Sequence, residues 1–500
     1  MSRRMKILPA LVLAGSMAWT TGCGIETEVQ GVIVEDDLND PELMAPLVRG
    51  HNSEVLDIWA VNTGYHYYVL SSTDDFLNDG VGSSEVRWST NQFYNRSYEG
   101  GMWAQAAEAS WAGSYSLKNI RKVNENFGID SSTDPLIARS WLNSGIAERA
   151  IGEMFCEAVL NWGYEGGALL GNDGPYDASA PVPIDSVFRR MAYYAEQAAQ
   201  VAEAGVNAGV ETPQGWYLFD PAVILESAEL LAAQAYLYLE EWDLAEEWAS
   251  KVDIAHVEYG HFNENTETNE LWDITWDNDD GSVYGEIHDG QLYGVPAVAM
   301  WPDDPRVEFT KCGDWTDGFG SSITRLTSDC WDYRSESNDY PLYVPDKYND
   351  IGSDIEYFVG TEAPLILAEV ALRRDGDLGA FTSYINQVRL HYGADPIDPP
   401  TSIGALEWPN AEDDAWSILD RERYLTLWLQ TRRQYDLRRW SHPFLSDDPY
   451  NALIPRHENQ YQGQRYMWCF PIADDECARN VLLFNTEYCE VIDPPPGGGE

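Results

Sequence analysis

Three groups of residues in this 500-residue chain are equipped for chemistry: carboxylates, cysteines and flat aromatic rings. Carboxylates dominate, with 83 Asp and Glu against 31 Lys and Arg. In such an excess, two carboxyl groups at the separation a glycosidase needs arise by chance, so their presence specifies no reaction. The run Asp277-Asn278-Asp279-Asp280-Gly281 offers oxygen ligands and a turn, but its register to Glu286 departs from an EF-hand, and a solvated turn is the expected state. Gly-rich phosphate loops, a Gly-x-Ser-x-Gly elbow and a His-Glu-x-x-His helix are all missing from the sequence. Rings, in contrast, crowd the stretch 259–350, where Trp272, Trp276, Tyr284, Tyr293, Trp301, Trp315, Trp331, Tyr333, Tyr340 and Tyr343 stand among Gly, Asp, Asn and Pro. Loops run over the surface, so these rings cannot all enter a helical core. Planar side chains stack on the C–H faces of sugars, while amides and carboxylates hold the hydroxyls. That combination suits binding without bond breaking, and it calls for no cofactor and no metal.

Cysteines point to an exported protein. Arg3, Arg4 and Lys6 form a positive n-region ahead of an apolar stretch, 7–19, too short to span a bilayer. Thr20-Thr21-Gly22-Cys23 then resembles a bacterial lipobox, with Thr20 where Leu is usual, so residues 1–22 read as a signal peptide and Cys23 as the acylated first residue of the mature chain. Acyl chains would be the only anchor, since no later segment reaches 18 consecutive apolar residues. Cys156, Cys312, Cys330, Cys469, Cys477 and Cys489 remain, an even number that permits three disulfides of unspecified connectivity. Cys312 with Cys330 is the preferred pair, because it closes a loop within the aperiodic segment. Zinc is disfavoured: there is no Cys-x-x-Cys, and His256 and His261 have no Cys at ligand spacing.

A net charge of −52 repels nucleic acid, which is bound mainly through cationic side chains. Lys occurs only at 6, 118, 122, 251, 311 and 347. A surface so rich in carboxylates suggests a saline habitat, a hypothesis that unchanged stability on dialysis into low-salt buffer would sink.

Positioning these groups falls to helices. Residues 23–40 read as an acidic tether, 41–490 as one domain and 491–500 as a Pro/Gly tail that cannot pack. Asp40-Pro41 supplies a cap and a first helical residue. Amphipathic spacing predicts helices over 103–126, 135–160 and 183–204, then a unit over 220–252 that breaks near Glu240-Glu241. In that unit Ala228, Leu231, Ala235 and Tyr236 face Trp242, Ala245 and Trp248, which resembles a tetratricopeptide hairpin, small residues letting the helices approach and aromatics filling the gaps. A second hairpin is expected over 364–389, turning at Gly376-Asp377. The fold class is therefore mostly α, a tetratricopeptide-like helical scaffold with an irregular, loop-rich portion over 259–350.

The C-terminal third adds a signature. Ile418-Leu419-Asp420-Arg421-Glu422-Arg423, then Arg433 and Asp436-Leu437-Arg438-Arg439-Trp440, resembles the Glu-Arg and Arg-x-x-Asp-Leu-Arg-Arg-Trp elements of the SusD/RagB family of outer-membrane nutrient-binding lipoproteins. Ala368-Glu369 with Ile385-Asn386-Gln387-Val388-Arg389, Phe470-Pro471-Ile472 with Glu476, and Ile120 to Asn124 after Trp111 and Tyr115 are similar to further family elements in the same order. Thr426, Gln430, Thr431 and Ala473 depart from the pattern and mark a divergent branch. Glu422, Arg423, Arg433 and Asp436 are expected to form ion pairs around a buried helix rather than a catalytic site, since an unpaired buried charge costs several kcal/mol.

The resemblance implies a non-enzymatic, surface-exposed lipoprotein of the outer membrane that captures an oligosaccharide, or a peptide or other oligomer, for a SusC-type TonB-dependent transporter. It also implies ligand contacts in variable loops, which singles out Trp88, Phe93, Tyr94 and Asn95 in an early loop and Trp272, Trp276 and Tyr284 in the middle segment. An extracellular glycoside hydrolase and a tetratricopeptide-like assembly scaffold are the competing readings.

Overall fold

The computed structural model describes residues 38–60, 100–160, 180–212, 217–262, 304–307, 347–348, 352–406 and 414–443, the backbone of 163–165, 168–170, 309–314, 324–325 and 342–346, and positions 269, 350, 469, 470, 472, 473, 476 and 477. The tether, the signal segment and the Pro/Gly tail lie outside these residues, apart from 38–40 at the end of the tether.

Asp-Pro steps begin three helices in the same way. The Asp40 carboxylate accepts from Glu42 N at 2.9 Å, and a 3-10 turn at Pro41–Leu43 leads into α1, Met44–Ala60. Asp134 caps α3, Pro135–Met154, and Asp220 caps α5, Pro221–Tyr238, each accepting at 2.9 Å from the amide two residues on. A carboxylate there satisfies a donor that the helix leaves open and complements its dipole, while Pro gives up an N–H the helix does not use. Between them run α2, Gly100–Phe127, and α4, Ile184–Ala208, the latter stopped by Gly209 at φ 66°.

Helix α3 is the axis of the molecule, in contact with α1, α2, α4 and α5 and buried at every position from Ile137 to Met154. Small residues make this possible: a Cβ on Gly145 would sit 2.6 Å from Leu231 of α5, and one on Gly152 would sit 2.3 Å from the Phe188 ring of α4. Four charged residues of α3 are buried with it, and each meets a partner. Arg139 pairs with Glu258 at 2.5 Å, Glu148 with Arg190 at 2.6 Å and Glu153 with Arg432 at 2.9 Å, while Arg149 donates to Gln234 at 3.1 Å.

The expected helix over 135–160 ends six residues early. At Phe155 the chain becomes extended, Cys156 N donates to Phe470 O at 3.0 Å, and Phe470 N donates to Met154 O at 2.8 Å. A Cys156–Cys469 disulfide locks the junction. β1, Glu157–Val159, then pairs with β4, Pro181–Pro183; β2, Gly163–Glu165, and β3, Ala168–Leu170, form a second small ribbon.

Both expected hairpins are present. α5 is followed by α6, Trp242–Ala249, after a left-handed residue at Glu240, φ 57°. α7, Glu362–Val370, continues through a wide turn at Ala371–Asp375 to Gly376, φ 62°, before α8, Leu378–His391, capped by Asp377. α9, Ala415–Thr426, and α10, Arg432–Arg439, close the helical body, and α7 rests on α6 and α8. Apolar side chains of α7, α8 and α9, among them Leu365, Phe381, Ile385 and Leu419, form a second core beside the large one around α3.

The fold is mostly α with tetratricopeptide-like hairpins. Short strands punctuate the described residues of the loop-rich segment 259–350 and its borders. β5, Val257–Gly260, pairs antiparallel with β9, Ile355–Val359. A three-stranded sheet has β6, Phe309–Asp314, between β7, Thr324–Arg325, and β8, Leu342–Pro345. No helix among the described residues is long and apolar enough to cross a membrane.

Candidate binding site

The signature residues form a closed network. Arg423 Nε donates to Asp436 at 2.7 Å and NH2 reaches Glu362 at 3.3 Å. Arg433 pairs with Asp420, whose other oxygen lies 3.3 Å from His442. Glu422 takes Arg306 on one oxygen and Arg389 on the other, both at 2.6 Å. Glu369 of α7 receives Arg439 in a two-pronged contact at 2.5 and 2.7 Å, and Trp440 Nε1 at 2.9 Å. Burial alone would raise the Glu369 carboxyl, but Arg439 outweighs it and holds the group down at about 2; the same contest, won by Arg433 and His442, holds Asp420 far below the carboxylate range. Every carboxylate here is spent on a guanidinium, and none faces solvent. The network cross-links α7, α8, α9 and α10, which is a structural task.

Arg306 gives no local signal in the sequence, because its partner lies more than a hundred residues on in α9. Two of its nitrogens also grip Asp304, at 2.8 and 2.7 Å, so the guanidinium fastens the loop-rich segment to the signature helix.

Of the residues singled out as ligand contacts, Trp88, Phe93, Tyr94, Asn95, Trp272, Trp276 and Tyr284 lie outside the described residues, as do Cys23 and Cys330. Cys312 is in β6, where only the backbone is described. The disulfide that is described joins Cys156 and Cys469, a pair not favoured in the sequence, and Cys477 is disulfide-bonded too.

A cluster of exposed rings lies on the β5/β9 ribbon. Alternation along β5 buries Glu258 and Gly260 and turns Val257 and Tyr259 outward, with His261 next in that phase. Tyr217, from the 3-10 turn Tyr217–Phe219, meets the His261 ring edge-on with centroids 4.6 Å apart, and the rings of Tyr259 and His261 are 6.2 Å apart. Tyr217 and Tyr259 are 42% and 40% exposed, so part of each residue is open to a ligand. Asp354 fixes the imidazole: one oxygen takes His261 Nδ1 at 2.6 Å and the other takes Phe262 N at 3.1 Å. Nδ1 is thereby the donor, which leaves Nε2 of this part-exposed ring as a hydrogen-bonding atom. Burial pushes the Tyr259 hydroxyl up, and the Glu356 and Asp354 carboxylates push it further, so it stays a proton donor. Two ring faces, a phenol donor, an oriented imidazole and a carboxylate on one small surface can hold a polyhydroxylated ring. The period-two pattern Val257-Glu258-Tyr259-Gly260-His261 is the sequence signal for this surface, and the zinc role considered for His261 in the sequence is not the one it plays here.

A second ring pair lies on α2, where Trp111 stacks on Tyr115 at 5.1 Å and 17° and is 45% exposed.

Ser227, His256 and Glu258 form a superficial likeness to a hydrolytic triad. Ser227 Oγ lies 2.8 Å from His256 Nε2 and also donates to Glu258. The carboxylate thus orients the serine and not the imidazole, and it is already held by Arg139 at 2.5 Å. Ser227 is fully buried, so no scissile bond can reach it.

Residues 354–485 match the family model described as the SusD family. Over most of its length the chain shares its fold with solved structures. A SusD superfamily protein from Bacteroides thetaiotaomicron superposes with a TM-score of 0.59 at 14% identity, covering 91% of this chain and 99% of that one. A SusD-like carbohydrate-binding protein from Bacteroides fragilis gives 0.58 at 12% identity, covering 88% and 98%. A laminarin-binding SusD-like protein gives 0.51 at 14%, covering 88% and 97%. No curated protein sequence matches.

Proposed function

We propose that this chain, a SusD/RagB-like protein in fold and in its C-terminal signature, is a glycan-binding lipoprotein that holds its ligand at the cell surface and passes it to a SusC-type TonB-dependent transporter. The observation carrying the binding half is the exposed Tyr217, Tyr259 and His261 surface, with Asp354 fixing the imidazole, on a rigid helical frame. Carbohydrate binding by proteins of the same fold supports it. Acylation at Cys23 would supply the anchor, and the transporter would supply the energy for release, so this chain breaks no bond. The loops carrying Trp88, Phe93, Tyr94, Asn95, Trp272, Trp276 and Tyr284 would extend the contact surface.

Calorimetric titration of the chain from Cys23 onward against neutral glycans, laminarin and starch among them, tests the reading. Binding is expected, and the Tyr217→Ala/Tyr259→Ala pair should weaken it about tenfold or more, since a stacked ring contributes about 1 kcal/mol beyond the area it covers. If no glycan in the panel binds, the proposal fails. If a glycan is cleaved, and one carboxylate replacement abolishes the cleavage, the hydrolase reading takes its place.

A further inference from the structure

A cavity of about 750 Å³ lies between the segment 397–402 and the outer side of α9, away from the β5/β9 ribbon in sequence and lined by different chemistry. It is lined by Asp398, Pro399, Thr401, Ser402 and Arg421, and by Asp414, whose Oδ1 is engaged in capping α9 through Ser417 N at 2.9 Å. The volume suits a disaccharide-sized ligand.

The wall is fixed at both ends. Asn386 of α8 clamps Ile397 from both sides, donating to its carbonyl at 3.0 Å and accepting its amide at 2.7 Å. At the other end Ala415 N donates to Ser402 O and Trp416 N to Ile403 O, each at 3.1 Å. The cavity therefore needs no ordering of its backbone when a ligand enters, which removes one of the costs of binding.

Arg421 is the unusual member. Its one polar contact among the described residues is Nε to Glu422 at 3.5 Å, and that carboxylate already holds Arg306 and Arg389 at 2.6 Å each. Among the described residues, the remaining donors of its guanidinium fork meet no acceptor. In a chain with 83 acidic residues, the neighbouring signature arginines Arg423, Arg433 and Arg439 are each bound to carboxylates at 2.7 Å or less, so an arginine left open beside a cavity stands apart. A guanidinium fork matches a carboxylate in two parallel hydrogen bonds. The Thr401 and Ser402 hydroxyls and the Asp398 carboxylate suit sugar hydroxyls, and the exposed Pro399 surface suits the C–H face of a ring.

We propose that this cavity binds the uronate residue of an acidic oligosaccharide, with Arg421 taking the sugar carboxylate. This rests on the glycan reading and adds to it a second site and a charge class of ligand.

The test is calorimetry on the chain from Cys23 onward with the disaccharides of galacturonate, glucuronate and mannuronate, each beside its neutral methyl ester. At least one acid should bind ten times or more tighter than its ester, and Arg421→Gln should remove that tenfold preference while leaving the affinity for neutral glycans unchanged. Arg421→Lys should restore it only in part, because an ammonium lacks the fork. Arg421 is on the surface of α9 with one long contact, and an unchanged near-ultraviolet circular dichroism spectrum checks that the variants fold. Equal affinity of acid and ester, no binding of any acid, or full retention in Arg421→Gln overturns the inference. Neutral-glycan binding that depends on Tyr217 and Tyr259 keeps the ribbon reading alive in each of those cases, so the two fail separately.

Discussion

Replacing Glu369 by Gln should loosen the signature network by a predictable amount. The carboxylate is fully buried and accepts Arg439 at 2.5 and 2.7 Å and Trp440 at 2.9 Å. Gln keeps the shape but sets an amide nitrogen against a guanidinium N–H, and it removes the charge that compensates a buried cation. Breaking one side of a buried pair costs about 3–5 kcal/mol. Linkage gives a similar figure: a carboxyl lowered from 4.5 to about 2 contributes about 3 kcal/mol at neutral pH. Asp436 stays beside Arg439 at 2.7 Å, so the lower end, about 3 kcal/mol, is expected. Because the folded value is depressed, this stability is complete above pH 4.5 and is lost as pH falls through about 2. Urea unfolding of wild type and variant at pH 7 measures the difference, and repeating it at pH 3 should shrink the gap to about half. A loss under about 1 kcal/mol at pH 7, or a gap that does not change with pH, refutes the claim that Glu369 is ionised and holds α7 to α10.

Glu229 on α5 is pushed up to about 7 by burial, with Glu226 and Glu203 adding repulsion and Lys251 easing it. Its folded value lies above 4.5, so the protein loses stability as pH rises from 4.5 to 7, and Glu229→Gln should raise the melting temperature at pH 8 but not at pH 4.5; an equal effect at both would show the group is unperturbed. Removing the Cys156–Cys469 bond by serine replacement should cost about 2–5 kcal/mol in denaturant titrations, since it closes a loop spanning most of the mature chain. A Cβ on Gly360 would lie 2.0 Å from the Asp253 carbonyl oxygen, a backbone atom, so Gly360→Ala should destabilise by about 1–3 kcal/mol or more, and a wild-type melting curve would contradict the packing described.

Local chemistry was legible in the sequence and distant chemistry was not. Asp-Pro steps at 40, 134 and 220 start helices through contacts two residues away, and Glu240 and Gly376 break hairpins by their own backbone angles, so a reader of the chain finds both. Phe155 ends α3 because Phe470 pairs with it, and no periodicity near Met154 announces a partner so far along the chain. Arg306 and the Cys156 partner were missed for the same reason. His261 was visible but misplaced: its role depends on Tyr217 and Asp354, which only the fold brings to it. The signature was legible as buried ion pairs because charges in an apolar helix need partners, though which charge meets which required the coordinates.

The chain leaves the helical body at Gly260 and comes back at Ile355 through adjacent strands of one antiparallel ribbon, and Arg306 bolts the excursion to α9 on its way. Its two doorposts stand side by side. Closure entropy grows only slowly with length, so the stretches between these posts can vary in length at little cost, provided that Arg306 stays to engage Glu422 and that Phe262, Val307 and Tyr348 keep their places in the core. The excursion is thus an exchangeable cartridge with fixed pins: a stretch transplanted between the same two posts should change what is held only if it brings an arginine and apolar side chains to the places of Arg306, Phe262, Val307 and Tyr348.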